Sequence, residues 1–133
     1  MGRCYQPTAT FHDIAFDLKG ADRIRAMWHM ICQTDIRATF DVIHANDQEG
    51  RVALVDDYTF RDTGRKVHNV IDSRFRFSDG LIAEHRDECD AQVWAAMALG
   101  GVKGCLAGRI RFLRSLRAKE KLDAFIRAHP DYQ

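Results

Sequence analysis

In "DGLIAEHRDECD", residues 79–90, a histidine and an aspartate stand two positions apart, at His85 and Asp87. The segment opens with a turn and then alternates as a strand does, with successive side chains on opposite faces. That parity groups His85 and Asp87 with Ala83 and Cys89, and sets Glu84, Arg86 and Glu88 on the other face. A histidine and a carboxylate on one face can reach the same substrate group or water. His85 is then suited to donate or shuttle a proton, and Asp87 to accept one or anchor a hydrogen bond. The alternating charges also fit a surface strand, so the chemistry depends on whether the first face looks into a cavity.

The flanking elements decide that. "TATFHD", residues 8–13, reads as a short strand with Ala9, Phe11 and Asp13 on one face. "LKGAD" then leads into a helix over 21–33, where Ile24, Met27, Trp28 and Ile31 form one apolar stripe. Strand patterns at 36–44 and 51–60 are joined by "NDQEG", a hairpin loop by composition. After the turn "RDTGR", "KVHNVIDSRFRF" alternates through Asn69, Ile71, Ser73, Phe75 and Phe77, which leaves Asp72, Arg74 and Arg76 facing outward. The hairpin "SDG" returns the chain to the strand of His85, so these strands form an antiparallel meander. A short helix over "AQVWAAMAL", the loop "GGVKGCLAG" and a helix over 109–127 follow. Ile110, Leu113, Leu116, Leu122, Phe125 and Ile126 are expected on the buried side of that last helix. Strand, helix, strands, helix is an α+β order.

On this layout Tyr58 and Asn69 point into the cavity of His85 and Asp87, while Trp28, Phe75 and Phe77 serve as its wall or as core. Cys89 reads as a small buried residue, since nothing argues for a depressed thiol pKa.

With 133 residues, 46% hydrophobic and 29% charged, the chain fits one soluble globular domain. Twenty basic and nineteen acidic residues leave a charge of +1, which gives nucleic acid or a membrane no global field to follow. The basic run Arg109, Arg111, Arg114, Arg117, Lys119 and Lys121 is interrupted by Glu120 and Asp123 and reads as a solvated helix face. Cys4, Cys32, Cys89 and Cys105 are scattered and form no C-x-x-C pair, and no apolar leader follows Met1. Reduced thiols in the cytoplasm and no metal site are the expectation.

"YQPTATFHD", a helix containing "MWHMIC", "YTFRDTGRKVHNV", "FRFSDGLIAEHRDECD" and "WAAMALG" follow one another between residues 4 and 100. As an ordered set they resemble the nuclear transport factor 2-like superfamily, and more closely its SnoaL-like and ketosteroid-isomerase-like branch. The resemblance implies an α+β, cystatin-like, cone-shaped barrel, a curved antiparallel sheet wrapped around helices and a deep apolar pocket. It also implies a homodimer joined through the outer face of the sheet. Members usually begin with a long helix closing the side of the cone. Here that N-terminal helix is absent, so either the reading frame is truncated or a neighbouring chain covers the bared surface. The domain is taken as 1–133, with 101–133 a C-terminal loop and helix extension.

The resemblance also implies roles. "ATFHD" puts Asp13 where ketosteroid isomerases carry a general base, and "NVIDSRF" offers Asp72 for their second acid, although its parity gives the pocket position to Ser73. The isomerase tyrosine has no counterpart. Limonene-epoxide hydrolases use an Asp-Arg-Asp set, for which "HRDECD" supplies Asp87 and "RVA" supplies Arg51, with Ala53 in place of the second acid. Polyketide cyclases carry an E-H-x-D pattern, matched by His85 and Asp87. The expected protein is a cofactor-independent acid–base enzyme of isomerase, cyclase or epoxide-hydrolase type. Its catalytic residues are Asp13, His85 and Asp87, and its substrate is an apolar cyclic or carbonyl-bearing metabolite. A non-catalytic small-molecule binding module and a protein-interaction domain are the alternatives.

Overall fold

Two-residue alternation lays down six strands, and where it gives way to a spacing of three and four the chain turns helical. The strands are β1 (Tyr5–His12), β2 (Asp17–Lys19), β3 (Arg37–Ala45), β4 (Glu49–Phe60), β5 (Arg65–Ser78) and β6 (Leu81–Cys89). The helices are α1 (Ala21–Cys32), α2 (Ala91–Leu99) and α3 (Ala107–Ala128), with short 3-10 turns at Gly2–Cys4 and Pro130–Tyr132. The structure, a computed structural model, describes residues 2–100 and 107–132, and the side chains of all these except 107–114. Residues 101–106, where the sequence reading put a loop with Cys105, and the side chains of Arg109, Ile110, Arg111, Leu113 and Arg114 therefore lie outside the described residues.

The strands form one open, curved sheet in the order β2-β1-β6-β5-β4-β3. The meander from β3 to β6 is antiparallel, as expected, but β1 joins β6 in parallel. The hairpin between β5 and β6 turns on Asp79 and Gly80, at φ 53° and 74°. Both residues adopt the left-handed conformation that a tight two-residue hairpin needs. The turn pairs Phe77 with Ile82, and a register shift between Arg76 and Phe77 then sets Phe75 opposite His85 and Ser73 opposite Asp87. Ala83 therefore does not share the face of His85, which strict alternation would require.

Two boundaries differ from the sequence reading. β1 begins at Tyr5 and stops at His12, so Asp13 follows the strand rather than ending it. β2 is an unexpected strand, with Leu18 as its single buried residue. One apolar position in three residues is too little pattern to announce a strand.

The helices pack on the concave side. α1 buries Ile24, Ala26 and Met27 with Tyr5, Ala9, Phe11, Leu18, Ile82 and Leu122 of α3. Removing a side chain as large and enclosed as Phe11 should cost about 3–5 kcal/mol. α2 starts at Asp90, whose carboxylate accepts the amides of Gln92 and Val93, and packs Trp94, Ala95 and Ala98 on Val67. On α3, Leu122 is buried and Phe125 and Ile126 partly so, but Leu116 is exposed. The described part of the long helix thus docks through Leu122, Phe125 and Ile126. No described helix is long and apolar enough to cross a membrane.

Candidate active site

Residues paired across a sheet point to the same side, so strand register shows what faces the helices. One row runs Leu18, Phe11, His85, Phe75, Gly50 from β2 to β4. The next runs Asp87, Ser73, Val52, Val42, and the next Cys89, Ile71, Leu54, Phe40. Beyond them Asn69 pairs with Asp56, and Val67 with Tyr58. Each row lies on the concave face.

His85 is 3% exposed and Asp87 8%. The imidazole lies between Phe75, at 4.2 Å between ring centroids, and Phe11, edge-on at 4.9 Å. Its two nitrogens are both engaged, Nδ1 with the Tyr5 hydroxyl at 2.7 Å and Nε2 with Asp87 Oδ1 at 2.8 Å. The Trp28 indole N–H donates to Tyr5 Oη at 3.0 Å. An indole N–H can only donate, so the order reads Trp28 to Tyr5, Tyr5 to His85 Nδ1, and His85 Nε2–H to Asp87. This order assigns a neutral imidazole with its proton on Nε2. Burial holds the Tyr5 hydroxyl far above its ordinary pKa, so it stays protonated and donates. The Ser73 hydroxyl, facing Asp87 in register, has no hydrogen-bond partner among the described residues.

In front of Asp87 lies a cavity of about 1040 Å³. Phe11, Trp28, Tyr58, Phe60, Ile71 and Trp94 supply apolar wall, and Asp13, Asp56, Asn69, Asp87 and Cys89 supply polar groups. Asp56 is the group that sequence reasoning missed. Burial, reinforced by the negative charges of Asp87 and Asp57, raises its carboxyl to about pKa 6. The signal was present, because Asp56 lies two residues before Tyr58 and the period of two puts both on one face. Tyr58 accepts the Trp94 indole N–H at 2.7 Å, and burial raises its pKa. Its own proton is therefore held and available to an acceptor in the cavity.

Of the residues expected at the site, Asp13, Trp28, Tyr58, Asn69, Asp87 and Cys89 line this cavity. His85 does not line it, because Phe11 and Phe75 enclose its ring, and it meets the cavity only through its hydrogen bond to Asp87. Phe75 and Phe77 are not cavity wall either. They stack on each other and pack against the core around Tyr5 and Ile82, and Phe77 also covers Gly50. Asp13 Oδ1 accepts the amides of Ala15 (2.6 Å) and Phe16 (2.5 Å) and closes the turn into β2. Asp72 faces outward as expected, held below the usual carboxylate pKa by Arg51 and Arg74. Arg51 is thus on the convex face, away from the cavity where an epoxide-hydrolase arginine would be needed. Among the described residues no three His, Cys, Asp or Glu side chains gather as a metal site requires.

Solved structures share this architecture. A hypothetical protein with a ketosteroid isomerase-like fold from Catenulispora acidiphila, solved with trimethylamine, aligns at TM-score 0.63 and 14% identity, over 73% of this chain and 78% of that one. A candidate polyketide cyclase from Xanthomonas campestris aligns at 0.60 and 16%, over 73% and 81%. IdmH, a candidate polyketide cyclase from Streptomyces antibioticus, aligns at 0.56 and 21%, over 71% and 81%. At these identities the likeness is one of fold. No curated protein matches the sequence. The SnoaL-like domain family matches residues 1–85, nearly two thirds of the chain, and with the helix-backed sheet it makes this protein a member of that family, within the nuclear transport factor 2-like superfamily.

Proposed function

We propose that the protein is a cofactor-independent acid–base enzyme that moves a proton on an apolar, carbonyl-bearing cyclic metabolite. The observation that carries this reading is the pair of carboxylates, Asp56 and Asp87, in one apolar cavity, with Asp56 raised to about pKa 6. Two carboxylates in one apolar cavity favour a state in which one holds a proton and the other does not. Asp87, receiving the His85 Nε2–H, is the one kept ionised and takes a proton from carbon next to the carbonyl. Tyr58 donates to the carbonyl oxygen as negative charge develops there. Asp56 holds the proton that can be returned. His85 is a positioning residue, and Asp13 shapes the cavity wall at the β1–β2 turn.

Deuterium exchange at the carbons flanking the carbonyl of cyclic ketones, beginning with 2-tetralone and followed by NMR in heavy water, tests the reading. Exchange above the buffer rate is expected, and it should fall about 100-fold or more in Asp87→Asn. Saturable binding without exchange would mark the protein as a binding module instead.

The partner we propose is a second copy of this chain, docked on the convex face of the sheet. The exposed Val70 and the Arg51–Asp72–Arg74 ion pairs lie on that face.

A further inference from the structure

The cavity is not uniform in charge. Asp13, Asp56 and Asp87 belong to the part walled by β1, β4 and β6, whereas Arg61, Arg117 and Lys121 line it where α3 meets the β4–β5 turn. Arg117 and Lys121 are four residues apart on α3 and so share one helix face. Lys121 Nζ bonds Asp62 Oδ1 at 2.8 Å, which brings that face against the turn carrying Arg61. The Arg61 guanidinium also reaches the Gln33 carbonyl at the end of α1, at 3.5 Å. Among the described lining residues at this end, Arg61, Arg117 and Lys121 stand against one carboxylate, Asp62, and leave an excess of positive charge there.

We propose that Arg61, Arg117 and Lys121 form an anion subsite, so that the ligand of this cavity is an amphiphile with an apolar body and an anionic head. The inference deepens the acid–base reading above and rests on it for the identity of the reacting end. The two charged ends act together. The carboxylates repel an anionic head from their end, and the cations hold it at the other, which delivers the apolar body to Asp56 and Asp87. An apolar ligand without charge would have no such preferred orientation among walls of Trp28, Phe60 and Trp94. Arg61 and Arg117 carry the discrimination, because Lys121 is already engaged by Asp62.

The test compares 4-cyclohexylbutanoate with its uncharged primary amide, a pair that differs in head-group charge. The chain's two tryptophans, Trp28 and Trp94, both line the cavity, so their fluorescence reports occupancy. At 50 mM salt the acid should bind about fivefold more tightly than the amide, an advantage of the size that two exposed ion pairs confer. The advantage should shrink at 0.5 M salt. It should vanish in R61Q/R117Q, whose affinity for the amide and whose melting temperature should not change. Equal affinities for the two ligands, an advantage that survives the double substitution, or no binding of either ligand at millimolar concentration overturns the proposal. Proton exchange on an uncharged ketone is read in a separate experiment, so the failure of one reading is distinguishable from the failure of the other.

Discussion

His85 Nε2 and Asp87 Oδ1 are hydrogen-bonded at 2.8 Å although both side chains stand on the same strand. Same-face neighbours on a strand are set roughly 6.5–7 Å apart along the chain, so the two must lean toward each other. The rings of Phe11 and Phe75 flank the imidazole, and Tyr5 holds its far nitrogen. The direction left open to Nε2 is along β6, toward Asp87. Packing in one row of the sheet thus sets the hydrogen-bonding state of a carboxylate in the next.

Tyr5→Phe tests that arrangement. The substitution removes the hydroxyl and leaves the Trp28 N–H and His85 Nδ1 without their buried partner. A loss of about 1–3 kcal/mol is expected in urea denaturation, the range for stranded buried polar groups. Nitrogen-15 NMR should show the wild-type imidazole neutral with its proton on Nε2, and a mixture of tautomers in the variant. An unchanged tautomer in Tyr5→Phe would remove Tyr5 from the positioning role.

Asp87→Asn should leave the fold intact, since the amide oxygen can still accept from His85 Nε2. What changes is the charge felt by Asp56. Without the Asp87 carboxylate, one of the groups opposing ionisation of Asp56 is gone, and its pKa should fall below about 6. Carbon-13 NMR titration of the Asp56 carboxyl measures this directly. An identical midpoint in both proteins would mean the two carboxylates do not share a field.

Asp56→Asn should stabilise the protein, and only above a defined pH. The folded-state pKa of about 6 exceeds the ordinary 3.8, so between these values the folded chain binds more proton than the unfolded one. Stability contributed by this group therefore declines as pH rises from 4 to 6, and the whole penalty is present above 6. Asn carries no such penalty. A gain of about 1–2 kcal/mol is expected at pH 7.5, discounted for partial solvent access, and none below pH 4. Thermal melts at pH 3.5 and 7.5 should diverge accordingly; a gain of equal size at both would point to packing rather than charge.

The parity of β6 was legible from Glu84 to Cys89, where buried and exposed residues alternate, but not before it, because the register shifts at Ala83 and both Ile82 and His85 face inward. The same parity placed Asp72 outward and Tyr58 inward. Asp13 was harder to read, because a carboxylate just past a strand serves equally as a turn acceptor, and the amides of Ala15 and Phe16 claim it. Phe75 and Phe77 face the correct side, but a side of a sheet is longer than a cavity, and both rings pack into the core around Tyr5 and Ile82 instead of on the void. The burial of His85 was not legible, since it depends on Tyr5 and Phe11 arriving on a parallel strand from the far end of the chain. Asp56 was passed over beside Asp57, where two adjacent acids look like a solvated pair until the strand assigns them to opposite faces.

The convex face carries the last expectation. Arg51, Asp72 and Arg74 form a connected ion-pair set there, and Arg74 also reaches Glu88 at 3.8 Å. Val70 stands among them 63% exposed, beside the accessible Ala53. Charges of both signs around an apolar centre can meet their own image across a two-fold axis, because each cation then finds the carboxylate of the other copy. Sedimentation at micromolar concentration should give a dimer that weakens with salt as the rim pairs are screened. Val70→Asp introduces a charge at the centre of the patch and should yield monomers, while the melting of the separated chain stays near that of the wild type, since Val70 touches solvent and not the core. A wild-type protein that sediments only as monomer would end the proposal. A dimer indifferent to Val70→Asp would move the interface to another surface.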